Sequence, residues 1–162
     1  MITERLLKVV MVGCLALFAL VLAYDNLVDY GSNYLFVQHV LSMDTTFPDN
    51  ALMGRQITSP MIWSLAYWAI ILAEGATAVT LGVGAIEMAR HLRADAVRFR
   101  HAKRFVYLGA GLGFLLWFFG FLVVAGEWFA MWQSKSWNGQ DAAFRFYMPI
   151  LAVLIFVNQR DD

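Results

Sequence analysis

Residues 105–139 read FVYLGAGLGFLLWFFGFLVVAG followed by EWFAMWQSKSWNG, and the predicted architecture rests on them. Its first part, residues 105–126, has no charged side chain and is long enough to cross a bilayer, because about 20 apolar helical residues span a hydrocarbon core of about 30 Å. Its second part, residues 127–139, mixes three tryptophans with charged and amide side chains, which is typical of the boundary between membrane and water. The stretch therefore predicts a membrane-spanning helix that ends in a polar, aromatic surface segment.

The composition of the whole chain is that of a membrane protein. Apolar residues occupy 60% of its 162 positions and charged residues only 15%, whereas soluble domains contain about 45–50% apolar residues. Too few polar side chains are present to cover a soluble globule of this size. Cys14 is the single cysteine, so the chain forms no disulfide of its own and is not a dithiol oxidoreductase by itself.

Four apolar segments predict an all-α fold, an integral membrane four-helix bundle that forms a single domain over residues 1–162. The spans are expected at about residues 6–24, 60–86, 105–126 and 142–157, the first being a retained signal anchor. Pro149 lies close enough to the start of the fourth span to be tolerated there. In the first loop, residues 30–43 repeat apolar side chains every three to four positions, which predicts a short amphipathic helix on the membrane surface.

The charges between the spans predict the orientation of the chain. The loop at residues 87–104 carries six arginine and lysine residues against two acids, so it is expected in the cytoplasm together with both termini. The outer segments are then residues 25–59 and 127–141. This topology accounts for the basic loop, and no nucleic-acid partner is predicted.

Small residues inside the spans indicate where helices approach one another. Spacing of about four residues between small side chains lets two backbones come close in a membrane, where lipid provides no hydrophobic drive for helix pairing. The second and third spans are therefore expected to pack as an antiparallel pair. The candidate packing residues are Gly75, Gly82, Gly109 and Gly113.

Glu74 is the ionisable residue that lies deepest in a predicted span. A charged acid at that depth costs at least about 2.5 kcal/mol to insert into the membrane. The carboxyl is therefore expected to be protonated, paired with another group or hydrated in a cavity. One interpretation is a proton or ligand site. We favour the other, a neutral carboxyl that bonds a neighbour such as the indole of Trp117, in which case Glu74→Gln preserves folding and any activity.

The candidate residues for contact with a partner or ligand lie in the outer segments or beside them. His39 and Met43 share a helical face, next to Asp44, but none of the three histidines lies within a span, so we predict neither a metal site nor a haem. We predict no cofactor and assign no catalytic residue, and a bound lipid or quinone remains an open alternative. The contact candidates are Tyr30, Tyr34, His39, Asp44, Glu127, Trp128, Trp132, Gln133, Trp137, Asn138 and Arg145.

Several outer motifs are specific enough to compare with a family. They read NLVDYGSN at residues 26–33, FVQHVLSMDTTFP at 36–48, GEWFAMWQS at 126–134 and WNGQ at 137–140. In these motifs the chain resembles a bacterial family of small predicted integral membrane proteins that is catalogued as a domain of unknown function. The resemblance covers essentially the whole chain and implies a bacterial inner-membrane protein with four spans. It implies no activity, cofactor or catalytic residue.

Three hypotheses for the function follow. The first is a non-catalytic accessory, assembly or stabilising subunit of a larger membrane complex, for example a respiratory one, or of a homo-oligomer, with the outer aromatic side chains as its contact surface. The second is a lipid- or quinone-binding protein or enzyme whose site lies between the surface helix and residues 127–139, with His39, Asp44, Glu127 and Arg145 as its polar groups. The third, least favoured, is a small transporter that acts as an oligomer, because four spans with one buried acid provide no pathway alone.

Overall fold

The fold is built from helices alone. The computed structural model describes residues 2–161, and no β-strand occurs among them. The α-helices are α1 (Ile2–Val28), α2 (Tyr30–Ser42), α3 (Pro60–Arg90), α4 (Ala96–Ala102), α5 (Arg104–Phe114) and α6 (Gln140–Val157). A π-helix, Leu115–Trp128, continues α5 without a break. Two 3-10 turns lie at Met53–Arg55 and Met131–Gln133.

Four helical segments are long and apolar enough to cross a membrane, which confirms the predicted all-α membrane bundle. They are Ile2–Val28, Pro60–Arg90, Ala96–Trp128 and Gln140–Val157. Each extends beyond the predicted segment at one or both ends. Hydropathy identifies only the apolar part of a span. The helices continue beyond it through polar residues, such as Arg5 and Asn26, whose side chains form hydrogen bonds with other segments of the bundle.

The helix α3 lies at the centre of the bundle. The helix α1 packs along one side of it and α5 along another, while α6 packs against α5, the π-helix and α1. The buried face of α1 presents small side chains, including Val12, Ala16 and Ala19, which allow α1 and α3 to approach closely. Leu81 and Met88 of α3 are fully buried in the same hydrophobic core.

The close contact between α3 and α5 depends on glycine. A Cβ atom added at Gly109 would lie 2.7 Å from Cγ of Leu81, and one added at Gly84 would lie 2.7 Å from Cγ2 of Val106. Gly113 is equally crowded, by Ile150 of α6 and by Trp117. Of the other predicted packing residues, Gly82 comes near Ala16 of α1, at 3.9 Å, and Gly75 has no neighbour within 4 Å of its Cβ position.

A pair of matched substitutions tests this packing. We expect Gly109→Ala to lower the free energy of unfolding by about 1–3 kcal/mol, because the added methyl group overpacks a filled interface. Gly111→Ala lies on the same helix with open space around it and serves as the control. The measurement is SDS titration in mixed micelles, and equal stability of the two variants would contradict the prediction.

One end of the bundle holds a buried ionic cluster, which we call the lysine end: Arg5, Lys8, Lys103 and Asp161. Lys8 and Lys103 are fully buried, and both contact the carboxylate of Asp161. Nζ of Lys8 lies 2.8 Å from Oδ1 of Asp161 and 3.0 Å from Oε1 of Glu4. Arg5 donates to the backbone oxygens of Asp161, at 2.7 Å, and of Ala94, at 2.6 Å. The residues near both termini therefore meet at the same end of the bundle.

The two lysines also bind backbone oxygens that the end of α6 leaves free. Lys103 donates to the carbonyl of Val157 at 2.6 Å, and Lys8 donates to that of Gln159 at 3.1 Å. The last carbonyls of a helix have no partner within it, so ammonium groups are well placed there. Burial alone would raise the pKa of the Asp161 carboxyl, but the hydrogen bonds and charges of Lys103 and Lys8 outweigh burial and hold that pKa below its ordinary value.

Removing this carboxylate is expected to destabilise the bundle. Asp161→Asn leaves two buried ammonium groups without their shared counter-charge, and the free energy of unfolding should fall by about 3 kcal/mol. Because the pKa of Asp161 is lowered on folding, its contribution is present above the pKa of an unfolded aspartate, about 3.9, and is lost as pH falls through the lower, folded value. The cost is measured at about pH 7, where an unfolded aspartate and the folded Asp161 carboxyl are both ionised, as the difference between wild type and variant in SDS titration followed by tryptophan fluorescence.

The exposed acid Asp49 provides the control for that experiment, since Asp49→Asn makes the same chemical change outside the cluster. A cost for Asp161→Asn no larger than that of Asp49→Asn would contradict the role assigned to the lysine end.

Candidate functional site

The opposite end of the bundle, which we call the tryptophan end, is formed by α2 with residues 43–59 and 129–139. Buried side chains from both segments pack together, including Val40, Met43, Phe129 and Met131. Polar groups join the same segments: the hydroxyls of Thr45 and Ser134 lie 2.8 Å apart, and Gln133 Oε1 accepts from the backbone N–H of Phe47 at 3.1 Å. The two segments that the sequence placed on one face are therefore in direct contact.

Two non-glycine residues at this end adopt a left-handed backbone. Met43, with φ 55°, ends α2, and Ala130, with φ 52°, turns the chain after the π-helix. This conformation is uncommon for residues other than glycine, asparagine and aspartate. Both side chains are buried in the contact between the two segments, so tertiary packing holds these turns in place.

His39 forms a pair with Asp44 and lies against an indole. Its Nδ1 is 2.9 Å from Oδ2 of Asp44, and its ring stacks on Trp137 with centroids 4.6 Å apart. Within residues 2–161, no group of three histidine, cysteine, aspartate or glutamate residues is arranged to hold a metal ion. The geometry of His39 is that of a side chain fixed by its neighbours at the surface of the bundle.

A cavity of about 370 Å³ lies between α1, α2, α3, α6 and the π-helix, and we call it the Glu74 cavity. Its polar lining consists of two acids, Asp25 and Glu74, two amides, Asn26 and Asn33, and the hydroxyl-bearing Tyr67. Aromatic side chains, among them Trp117, Phe121 and Phe146, form much of the remaining wall. No lysine, arginine or histidine contributes to this lining. The cavity therefore combines acidic and aromatic surface.

A chain of hydrogen bonds crosses the floor of the Glu74 cavity. The hydroxyl of Tyr67 donates to the backbone oxygen of Asn26 at 2.8 Å and lies 3.1 Å from its Oδ1. Nδ2 of Asn26 in turn donates to Oε2 of Glu74 at 2.7 Å. Tyr67 and Glu74 are only 1% and 4% exposed, so these bonds satisfy groups that would be costly to bury alone.

Only one oxygen of the Glu74 carboxyl takes part in this chain. Oε2 accepts from Asn26, whereas Oε1 has no hydrogen-bond partner within residues 2–161. Because Glu74 lines the cavity, a polar ligand there would find a free carboxyl oxygen.

A second cavity of about 260 Å³ adjoins the first and is lined by apolar residues throughout. We call it the apolar cavity. The lining residues of the π-helix and its end, among them Leu116, Gly120, Val124 and Phe129, recur every four to five positions, as i→i+5 bonding allows. The two cavities share Phe36, Val37, Ile70 and Phe121, so one layer of side chains separates them.

The hydrogen bond predicted between Glu74 and the indole of Trp117 is not the one that the structure contains. Trp117 is buried and lines the Glu74 cavity beside Glu74, but the hydrogen-bond donor to Glu74 is Asn26. Tyr30 and Tyr34 stack on each other with centroids 5.8 Å apart and pack against Tyr67 from the side of α2. None of His39, Asp44, Glu127 and Arg145, the polar groups named for a ligand site, lines either cavity.

The remaining candidates lie around the rim of the tryptophan end. Glu127 and Trp128 line an open groove of about 730 Å³ beside Arg55. Trp132 lies edge-on to Phe47, with ring centroids 5.8 Å apart. Oδ1 of Asn138 accepts from the backbone N–H of Gln140 at 3.0 Å, and Arg145 is exposed.

Asn26 and Tyr67 are site residues that were not predicted from the sequence. Asn26 stands at the head of a quoted motif, but its partner Glu74 is 48 residues away, so spacing gave no sign of the contact. Tyr67 could have been predicted from its spacing to Glu74. Residues seven apart lie on one face of a helix, so Tyr67 and Glu74 share a face of α3.

Truncating the tyrosine hydroxyl tests the hydrogen-bond chain. We expect Tyr67→Phe to lower the free energy of unfolding by about 1–2 kcal/mol, because it leaves a buried oxygen of Asn26 without its donor. Tyr24→Phe, at an exposed position near the end of α1, is the matched control and should be nearly neutral. Indistinguishable SDS titration curves for the two variants would show that the chain contributes no stability.

Comparison with known proteins gives one match. A family model described as "Predicted small integral membrane protein (DUF2165)" matches residues 4–160. No curated protein and no solved structure matches the chain.

Proposed function

The chain belongs to the family of predicted small integral membrane proteins (DUF2165), as its motifs indicated, and we propose that it binds an amphiphile at the tryptophan end without catalysing a reaction. The observation that carries this proposal is the pairing of two adjoining cavities, one with a polar floor and one wholly apolar. Their volumes, about 370 and 260 Å³, together fall within the usual range for small-molecule sites, about 300–1,000 Å³.

The ligand class follows from this division of the lining. A polar head has partners in the free oxygen of Glu74 and the side chains of Asp25 and Asn33, while an apolar chain fits the second cavity. Lipids and quinones both combine such a head with such a chain. Phe36 and Phe121 stand in the shared wall, so one of them has to move for a single ligand to occupy both compartments.

Filling the apolar cavity tests amphiphile binding. Ala69 and Ala76 are both exposed on α3, but only Ala69 lines this cavity, so Ala69→Phe should displace the chain of the ligand, whereas Ala76→Phe places the same ring outside both cavities. After gentle purification, lipid extraction and mass spectrometry should find one amphiphile per wild-type chain, retained by Ala76→Phe and lost from Ala69→Phe. An equal amphiphile content in all three proteins, or none above surrounding lipid, would exclude binding in this cavity.

The role of an accessory subunit in a larger membrane complex is a second candidate, supported by a separate observation. Trp128 and Trp132 are 55% and 48% exposed, yet their neighbours hold them in place. The guanidinium of Arg55 lies 4.4 Å from the ring centroid of Trp128 and donates to its backbone oxygen at 3.1 Å. Aromatic side chains fixed in this way lose little entropy when a partner covers them.

We place the protein in a bacterial inner membrane with the lysine end in the cytoplasm. The contact between Arg5 and Asp161 brings both terminal regions to one side, and the arginine-rich segment that joins α3 to α4 lies at the same end. An oligomeric transporter receives less support, because that hypothesis needs Glu74 to face an axis between copies, whereas its side chain is buried within a single bundle.

Cysteine labelling in intact cells tests this orientation. In a Cys14→Ser background, Lys135→Cys should react with a membrane-impermeant maleimide, and Arg98→Cys should react only after the membrane is opened. Both positions are exposed in the structure, so access depends on the side of the membrane alone. The reverse pattern would invert the proposed topology.

A further inference from the structure

The charges that line the Glu74 cavity disfavour an amphiphile with an anionic head group. Two carboxyl groups, Glu74 at the floor and the exposed Asp25 near the mouth, contribute to the lining, and no basic side chain balances them. Arg145 is exposed and is not part of the lining. A phosphate or carboxylate head would therefore meet like charge without a counter-ion, an arrangement that is costly away from water.

The geometry of Glu74 adds a second, independent argument. Its side chain is 4% exposed, and Asn26 satisfies only Oε2, so Oε1 is free to receive a donor from the cavity. A carboxylate buried among apolar side chains is strongly stabilised by a cation in contact with it. An ammonium group supplies both the positive charge and the N–H donors.

The aromatic wall is the third feature that suits a cation. Trp117 and Phe146 line the cavity in an edge-to-face arrangement, with centroids 5.6 Å apart, and Phe36 and Phe121 close another side. Aromatic faces attract ammonium groups, and the attraction is stronger where water is excluded. Acid and aromatic rings together form a recurrent environment for lipophilic cations.

On the premise that the protein binds an amphiphile, we propose that its ligand is a lipophilic ammonium compound whose charge pairs with Oε1 of Glu74. The chain of the ligand occupies the apolar cavity behind Phe36 and Val37. Asn26 and Tyr67 act as positioning residues, because their hydrogen bonds fix the carboxyl and direct its free oxygen toward the cavity. This assignment gives Glu74 a ligand-binding role in place of the structural one that the sequence favoured.

A chain-matched series of probes tests the charge of the head group. The full-length protein in phosphatidylcholine nanodiscs is titrated with decylammonium, decanol and decanoate, with empty nanodiscs subtracted, and binding is followed by tryptophan fluorescence. We expect saturable binding of decylammonium that is at least about tenfold tighter than binding of the other two probes. Equal or tighter binding of decanol or decanoate would overturn the cationic assignment while leaving amphiphile binding intact.

Two variants connect this preference to the carboxyl group. Glu74→Gln keeps an oxygen for Asn26 but removes the charge, and it should weaken decylammonium binding about tenfold with little effect on decanol. Glu127→Gln makes the same change at an exposed acid outside both cavities and should leave the series unchanged. Asp25→Asn, at the mouth, is expected to fold normally and to weaken decylammonium binding less than Glu74→Gln does.

The results distinguish failure of the cationic assignment from failure of amphiphile binding itself. A wild-type preference for the ammonium probe that survives both Glu74→Gln and Asp25→Asn would place the cation elsewhere and overturn the assignment to this cavity. Failure of all three probes to bind would overturn the proposed amphiphile binding itself, and the cationic inference with it.

Discussion

In lipid, a polar group buried between helices has no water to bond, so the protein must supply its partner, and this constraint governs both ends of the bundle. At the lysine end, Lys8 and Lys103 share one carboxylate and bind backbone carbonyls at the end of α6 and just beyond it. At the tryptophan end, Asn26 occupies the carboxyl of Glu74 on one side and leaves the other side open. At the lysine end the protein supplies the partners of the buried charges, which suits a structural role. At the tryptophan end one carboxyl oxygen is left without a partner, which suits a binding site.

The tryptophan end owes its cavities to an interruption in regular helix packing. The π-helix follows α5 directly, and its wider turn spaces the side chains of Leu116, Gly120 and Val124 along one wall. The short helix α2 covers this wall without filling the space between it and α3, because Phe36 and Val37 divide that space into two compartments. π-helical segments are frequent at functional sites, and this one borders the apolar cavity.

Hydropathy and charge were sufficient to predict the class, the number of spans and the short helix in the first loop. They could not predict the pairs that define the two ends, since Lys8 and Asp161 are 153 residues apart and Asn26 and Glu74 are 48 apart. Lys103 was assigned to a basic loop on composition, whereas the structure buries it. The polar ligand site was sought among surface side chains such as His39 and Arg145, because a sequence does not show which polar groups face an enclosed space.

The dependence of Lys8 and Lys103 on Asp161 has a consequence for biogenesis. Asp161 follows all four spans in the chain, so it leaves the ribosome after the two lysines have already entered the translocation machinery. Until then a buried position would leave Lys103 without any carboxylate partner, so the helix ends at the lysine end cannot close fully around the two ammonium groups. The lysine end is thus completed only when Asp161 arrives, and a nascent chain interrupted before Asp161 leaves Lys103 without a carboxylate partner and Lys8 with Glu4 alone.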